Sequence, residues 1–179
     1  MRCIRSMVMV IMIAAFFAAS TEAQRKTSKK PAAKPPVTVV PPLEVRAGRE
    51  KVDNQLANVN RFIDVLGPIA QSIELLDESS RTKQLPKDTL DKNEANKQKV
   101  IEAIRNLRAG LSVLESEFRT KTALQKYLPN IQGITDFAGQ AEDSAIAGKF
   151  VAAKEPLRSI SKKLTDTLTA MPVTAPSGS

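Results

Sequence analysis

The chain has 179 residues, with 27 basic and 19 acidic side chains, no histidine, no tryptophan and one cysteine, Cys3. Without histidine there is no ordinary proton shuttle near neutral pH. Without histidine or a second cysteine there is no usual zinc, copper or iron site, and no Cys–His or Ser–His nucleophile pair. Carboxylates, lysines and Tyr127 remain for acid–base work, so the composition argues against an enzyme and calls for no cofactor or metal.

Residues 1–23 have the pattern of an export signal. Arg2 and Arg5 precede 13 unbroken apolar residues, Met7 to Ala19, and Thr21 and Ala23 suit cleavage before Gln24. A charged start, a short apolar run and small residues at its end define such a signal. The run is shorter than the roughly 20 residues of a membrane span. The expectation is an exported protein, periplasmic or extracellular. An uncleaved signal would instead tether it to the membrane. Cys3 leaves with the signal, so the rest of the chain has no disulfide and must be held by packing.

Residues 24–42 form a distinct arm. Arg25, Lys26, Lys29, Lys30 and Lys34 lie there with no acid, among Pro31, Pro35, Pro36, Pro41 and Pro42. Repeated proline opposes helix and favours an extended polyproline conformation. Beyond the signal the chain carries a surplus of seven positive charges, five of them in the arm, so its basic character belongs to the arm.

From Leu43 the pattern becomes helical. Val52, Leu56, Val59, Ile63, Leu66, Ala70 and Ile73 alternate spacings of four and three, a heptad seam. Pro68 should kink or break this helix, but the seam keeps its phase across it, which favours one kinked helix over two unrelated ones. Glu78 to Lys87 reads as a polar connection, and Asp88 as the cap of a second helix with the seam Val100, Ile104, Leu107, Leu111, Leu114 and Phe118. After a break at Thr120 to Thr122, a third region carries Leu124, Leu128, Ile131, Ile134, Ala138, Ala141 and Ala145. Pro129 suits a first turn, with Leu124 to Leu128 as a lead-in, and Gly148 can close the region as a left-handed cap. The last helix carries Phe150, Ala153, Leu157, Ile160, Leu164, Leu168 and Met171, with Pro156 near its start and Pro172 ending it. Residues 172–179 read as a disordered tail. No stretch alternates with period two, so the expected fold is all-α, an antiparallel four-helix bundle over residues 43–171 behind the extended Pro/Lys-rich arm.

The stretch Ala145-Ile146-Ala147-Gly148-Lys149-Phe150-Val151-Ala152-Ala153-Lys154 resembles the final turn of exported four-helix-bundle haem proteins of the cytochrome b562 type. The resemblance covers about 30 residues and implies the bundle. Those proteins hold haem through a Met on the first helix and a His on the last. Here the first helix has no Met and the chain has no His, so no haem is expected.

Three clusters carry potential chemistry. Ser159-Ile160-Ser161-Lys162 matches the Ser-x-x-Lys pattern of penicillin-binding enzymes, without their Ser-Asp-Asn or Lys-Thr-Gly partners, and reads as exposed helix surface. Glu74, Asp77, Glu78, Asp88, Asp91, Glu94, Glu142 and Asp143 should gather at one end of an up-down bundle. Their spacing matches no calcium loop, and basic residues lie among them. At the opposite end Arg46, Arg49, Lys51, Arg119, Lys121, Lys126, Lys162 and Lys163 should collect, with Glu44, Glu50, Glu115, Glu117 and Asp166. With the arm added, that end becomes a positive pole suited to an anionic membrane, a wall surface or an acidic envelope protein. Nucleic acid is not an expected partner, because the arm has no aromatic residue for stacking bases and the chain is read as exported. A different reading is a carrier of an apolar ligand, with Gly67, Pro68 and Pro156 opening a gap between helices.

Overall fold

A computed structural model of the protein describes residues 41–173. The expected signal, the cations of the arm (Arg25, Lys26, Lys29, Lys30 and Lys34) and the tail beyond Val173 lie outside the described residues. Among those described there is no strand. The elements are α1 (Leu43–Thr82), α2 (Lys87–Thr120), α3 (Thr122–Gln125), α4 (Leu128–Ile131), α5 (Ile134–Ile146) and α6 (Lys154–Ala170).

Helix α1 runs unbroken through Pro68, over 40 residues and about 60 Å at 1.5 Å per residue. The proline is exposed, so its ring faces solvent while Leu66 and Ala70 keep the seam buried. The first connection is shorter than the polar stretch suggests. Ser80 and Thr82 bond back to the carbonyls of Asp77 and Ser79, Arg81 pairs with Glu78, and the helix continues to Thr82. Asp88 is not the cap of α2. Pro86 takes that place, its carbonyl accepting from the Thr89 and Leu90 N–H groups at 3.0 and 3.2 Å. Asp88 already lies in the first turn, and its carboxylate meets Lys92 at 2.6 Å.

The third helical region is three pieces rather than one helix with a lead-in. Lys121 is extended after α2, and Pro129 sits in the first turn of α4. Gly133 then adopts φ 89°, a left-handed conformation that breaks the helix between Ile131 and Ile134. At the other end of α5 Gly148 has φ 76°. Its N–H donates to Ala145 O at 3.0 Å and the Lys149 N–H to Ser144 O at 2.9 Å, the paired bonds of a Schellman cap. The last helix begins at Lys154, later than Phe150. Phe150 and Ala153 are buried from the turn before it, and Pro156 falls in its first turn.

Helix α1 packs against α2 and α6, and α5 packs against α2 and α6, so the α5–α6 hairpin covers one side of the α1–α2 hairpin. Every residue of the four expected seams is buried or half-buried in one continuous core. The covering hairpin is short, 13 and 17 residues against 34 in α2 and 40 in α1. Its turn meets α1 at Glu74, where the Val151 N–H donates to the carboxylate at 2.8 Å. The end of α1 and the start of α2 therefore project beyond it as a two-helix tip. The tip is joined by Asp77, which accepts from Asn93 Nδ2 at 2.8 Å and from Lys97 at 2.7 Å. Asn93 Oδ1 is buried there without a partner.

Candidate functional site

The expected basic pole is built where α1 starts, α2 ends and α6 finishes. The pieces are held together locally. Leu124 of α3 lies so close to Gly48 that a β-carbon there would stand 2.7 Å from its Cδ2. The Arg49 guanidinium donates to the carbonyls of Leu168 and Met171, the latter at 2.9 Å. A cation at the carbonyl end of α6 suits the helix dipole.

Six of the eight expected cations of the helical body come together here, and three of them have acid partners. Lys51 and Lys121 both pair with Glu117, the latter at 3.0 Å, and Arg119 pairs with Glu115 at 3.0 Å. Arg49 is occupied with α6. Lys126 lies 4.9 Å from the centroid of the Tyr127 ring, a cation–π contact. Arg46 is exposed and has no ion pair among the described residues, with Glu50 and Asp53 lining the same hollow. Lys162 and Lys163 stand elsewhere. Their neighbour Ser161 bonds to Asn60 at 2.6 Å, 17 residues into α1, so both lysines lie along the body. Lys162 pairs with Asp166 at 2.6 Å. The described part of the pole is thus close to charge balance, and most of the surplus belongs to the arm sequence that joins α1 at Leu43.

The carboxylates flanking the pole titrate low. Burial pushes the Glu115 carboxyl up, but hydrogen bonds from the Gly133 N–H, the Thr135 hydroxyl and the Thr135 N–H, with the Arg119 charge, outweigh it and hold the group below its usual value. Glu115 thereby caps the start of α5 from α2. Bonds from Lys51 and then Lys121 lower Glu117. On the body, bonds from Arg105 at 2.7 Å and Arg108 at 3.0 Å lower Glu142. Glu142 consequently does not join the acids of the opposite end. The third connection bonds α1 at Glu74, and its Gly148, Lys149 and Val151 line one hollow with Asp77, Glu78 and Arg81; there Glu78 pairs with Arg81 and Asp77 with Lys97, while Asp88 pairs with Lys92 in α2.

Sequence reasoning placed Glu115 among the pole's solvent acids and missed its role as a cap. The signal was its spacing: Leu111, Leu114, Glu115 and Phe118 share one helix face, so the carboxylate points at the core side. Arg49 carries the same signal between Val45 and Val52. The Ser-x-x-Lys residues are not paired with each other. Ser159 bonds to the Glu155 carbonyl at 3.2 Å, and Lys162 is taken by Asp166.

Two other surfaces bear on binding. On the far side of α1–α2 a groove of about 350 Å³ is lined by Phe62, Val65, Ile69, Val100 and Ala103. Beside Gly67, where a gap was expected, the Lys154 amine lies 3.2 Å from the position of an added β-carbon and occupies the space. No helix among the described residues is long and apolar enough to cross a membrane, and no group of three or more acidic, His or Cys side chains is arranged to hold a metal.

No family model, curated protein or solved structure matches this chain.

Proposed function

We propose that this chain is an exported, non-enzymatic binding or adaptor protein of the cell envelope that docks an anionic surface through its basic arm. In this reading residues 1–23 direct export, residues 24–42 carry the charge, and the helices form an antiparallel four-helix bundle that the arm presents. That architecture is the one implied by the b562-type resemblance, without its haem. The observation that carries the proposal is the separation of charge. Of the six cations gathered at the pole three are already paired with acids and Arg49 is held by carbonyls, whereas the five of the arm have no acid within residues 24–42. A cation near an anionic membrane contributes about 1 kcal/mol, so five give measurable binding that salt weakens.

Deleting residues 24–42 should abolish most of the binding to anionic vesicles or to a wall polyanion at low salt, read by co-sedimentation. Unchanged binding, or no binding by either form, would sink the proposal.

The groove lined by Phe62, Val65 and Ile69 favours a second reading, carriage of an apolar ligand against the helices. Native mass spectrometry of the protein isolated from its own envelope tests it. A small added mass supports carriage; a bare or protein-bound chain does not.

A further inference from the structure

Helix α1 carries more apolar surface than the core takes. Its seam through Val59, Ile63, Leu66, Ala70 and Ile73 belongs to the core. Phe62, Val65 and Ile69 follow spacings of three and four on a neighbouring stripe and line the groove on the far side of α1–α2. Val65 is 53% exposed and Ile69 37%. Across the furrow α2 offers Asn96, Lys99, Val100 and Ala103. Every lining residue belongs to one of these two helices, so the groove has a floor and no lid. Glu102 stands one helical turn from Lys99, on the same helix surface. Both are exposed, and neither forms an ion pair among the described residues.

These features select among occupants. A small ligand lying on two helices keeps one side in water, whereas ligand sites bury most of their ligand. A foreign protein of either charge meets one attractive and one repulsive side chain at the rim. A second copy of this chain meets neither difficulty. Let two α2 helices cross antiparallel about a two-fold axis between positions 99 and 102. Lys99 of each copy then faces Glu102 of the other, and both pairs form at once. The same axis brings the two Phe62–Ile69 stripes together, because they lie level with Lys99 across the furrow. An isologous contact needs about 500 Å² from each copy to reach the roughly 1,000 Å² of a specific interface. Two helices side by side are about 20 Å wide, so about 17 residues of their length supply it. Helix α1 has 40 residues and α2 has 34. We infer that the outer face of the α1–α2 hairpin is the contact between two copies of this chain. The dimer is reversible, with Phe62, Val65 and Ile69 at its centre and crossed Lys99–Glu102 pairs at its rim. The inference stands apart from the docking reading of the arm and competes with apolar carriage for one groove.

Sedimentation equilibrium of the purified chain and of its variants tests it. The parent should show a monomer–dimer equilibrium. Lys99→Glu and Glu102→Lys each set like charges opposite one another twice and should weaken the dimer by about tenfold or more. The chain carrying both reversals regains both pairs and should return to the parent's dissociation constant. Val65→Glu at the centre should give monomer. All three positions are exposed, so circular dichroism should show unchanged helix. Should Val65→Glu disturb the helices, the double reversal decides alone. A parent that stays monomeric up to its highest soluble concentration overturns the inference, as does a dimer that folded Val65→Glu leaves intact. A double reversal no better than the single ones overturns the facing of Lys99 and Glu102. A monomer with a small added mass in native mass spectrometry gives the groove to a ligand and overturns the second copy as its occupant.

Discussion

Glu115 lies on α2 among Leu111, Leu114 and Phe118, yet it is ionised and satisfied. Its two oxygens accept from the Gly133 N–H, the Thr135 N–H and hydroxyl, and Arg119. Removing it leaves the first N–H groups of α5 without a partner, and an unmet buried donor costs about 1–3 kcal/mol. Glu115→Ala should therefore lower the urea midpoint by a loss of about 2 kcal/mol, whereas Ser159→Ala on the surface should leave it unchanged. Glu115, Glu117 and Glu142 all titrate below their usual value in the fold. The unfolded chain therefore binds protons more readily than the native one over that range, and stability rises with pH there. The contribution is complete above the usual carboxylate pKa of about 4.3 and is lost as pH falls through the lower native values. The thermal midpoint should drop on acidification below that point, and Glu115→Gln should make the drop shallower. The capped groups, Gly133 and Thr135, lie 18 and 20 residues beyond Glu115, which is why an acid on a helix face could be seen but its capping role could not.

At the scale of elements, the long helices were the legible part. A heptad repeat held over several turns fixes both the helix and its buried face. Phase continuity across Pro68 carried the reading of a single α1. The proline is tolerated because it faces water, and it still removes a backbone bond. Pro68→Ala should raise stability, by up to about 3 kcal/mol on the propensity difference, seen as a higher thermal midpoint. A lead-in before Pro129 was legible, but the break between α4 and α5 was not. Ile131 and Ile134 keep helical spacing, and only the backbone of Gly133 reveals the break. Nothing stands within 4 Å of a β-carbon added there, so the cost of Gly133→Ala is conformational. It should destabilise by about 1–2 kcal/mol, measured by denaturant unfolding. Helix boundaries failed where a neighbour decided them: Asp88 found Lys92, and Pro86 took the cap.

The molecule as a whole is asymmetric along its length. A hairpin of 13 and 17 residues cannot cover helices of 34 and 40, so the third connection halts at Glu74 rather than beside the first. Counting residues could have shown this; assuming equal helices in an up-down bundle hid it, and with it the true place of Glu142. Similarly, Lys162 and Lys163 were assigned to the pole from direction alone, although α6 needs its last turns to reach Arg49. The projecting tip has fewer neighbours than the body, and segments with few buried contacts open at lower free energy. Amide exchange should be faster over residues 76–92 of the α1–α2 tip than over the covered lengths of the same helices. Equal protection would mean that the α1–α2 pair is self-sufficient.

The clasp between Arg49 and the end of α6 also sets how the body would carry a mechanical load. Leu43 and Val173 stand at the ends of α1 and α6 that Arg49 ties together, so tension entering through one and leaving through the other opens α1 and α6 from one edge like a zipper. Bonds then yield one after another instead of sharing the force. The guanidinium grip on Leu168 and Met171 is the first to be stretched. Pulled between these points, the body would be soft, with Arg49 as its first catch. Anchored by the entry alone, it would hang from α1 under no such strain.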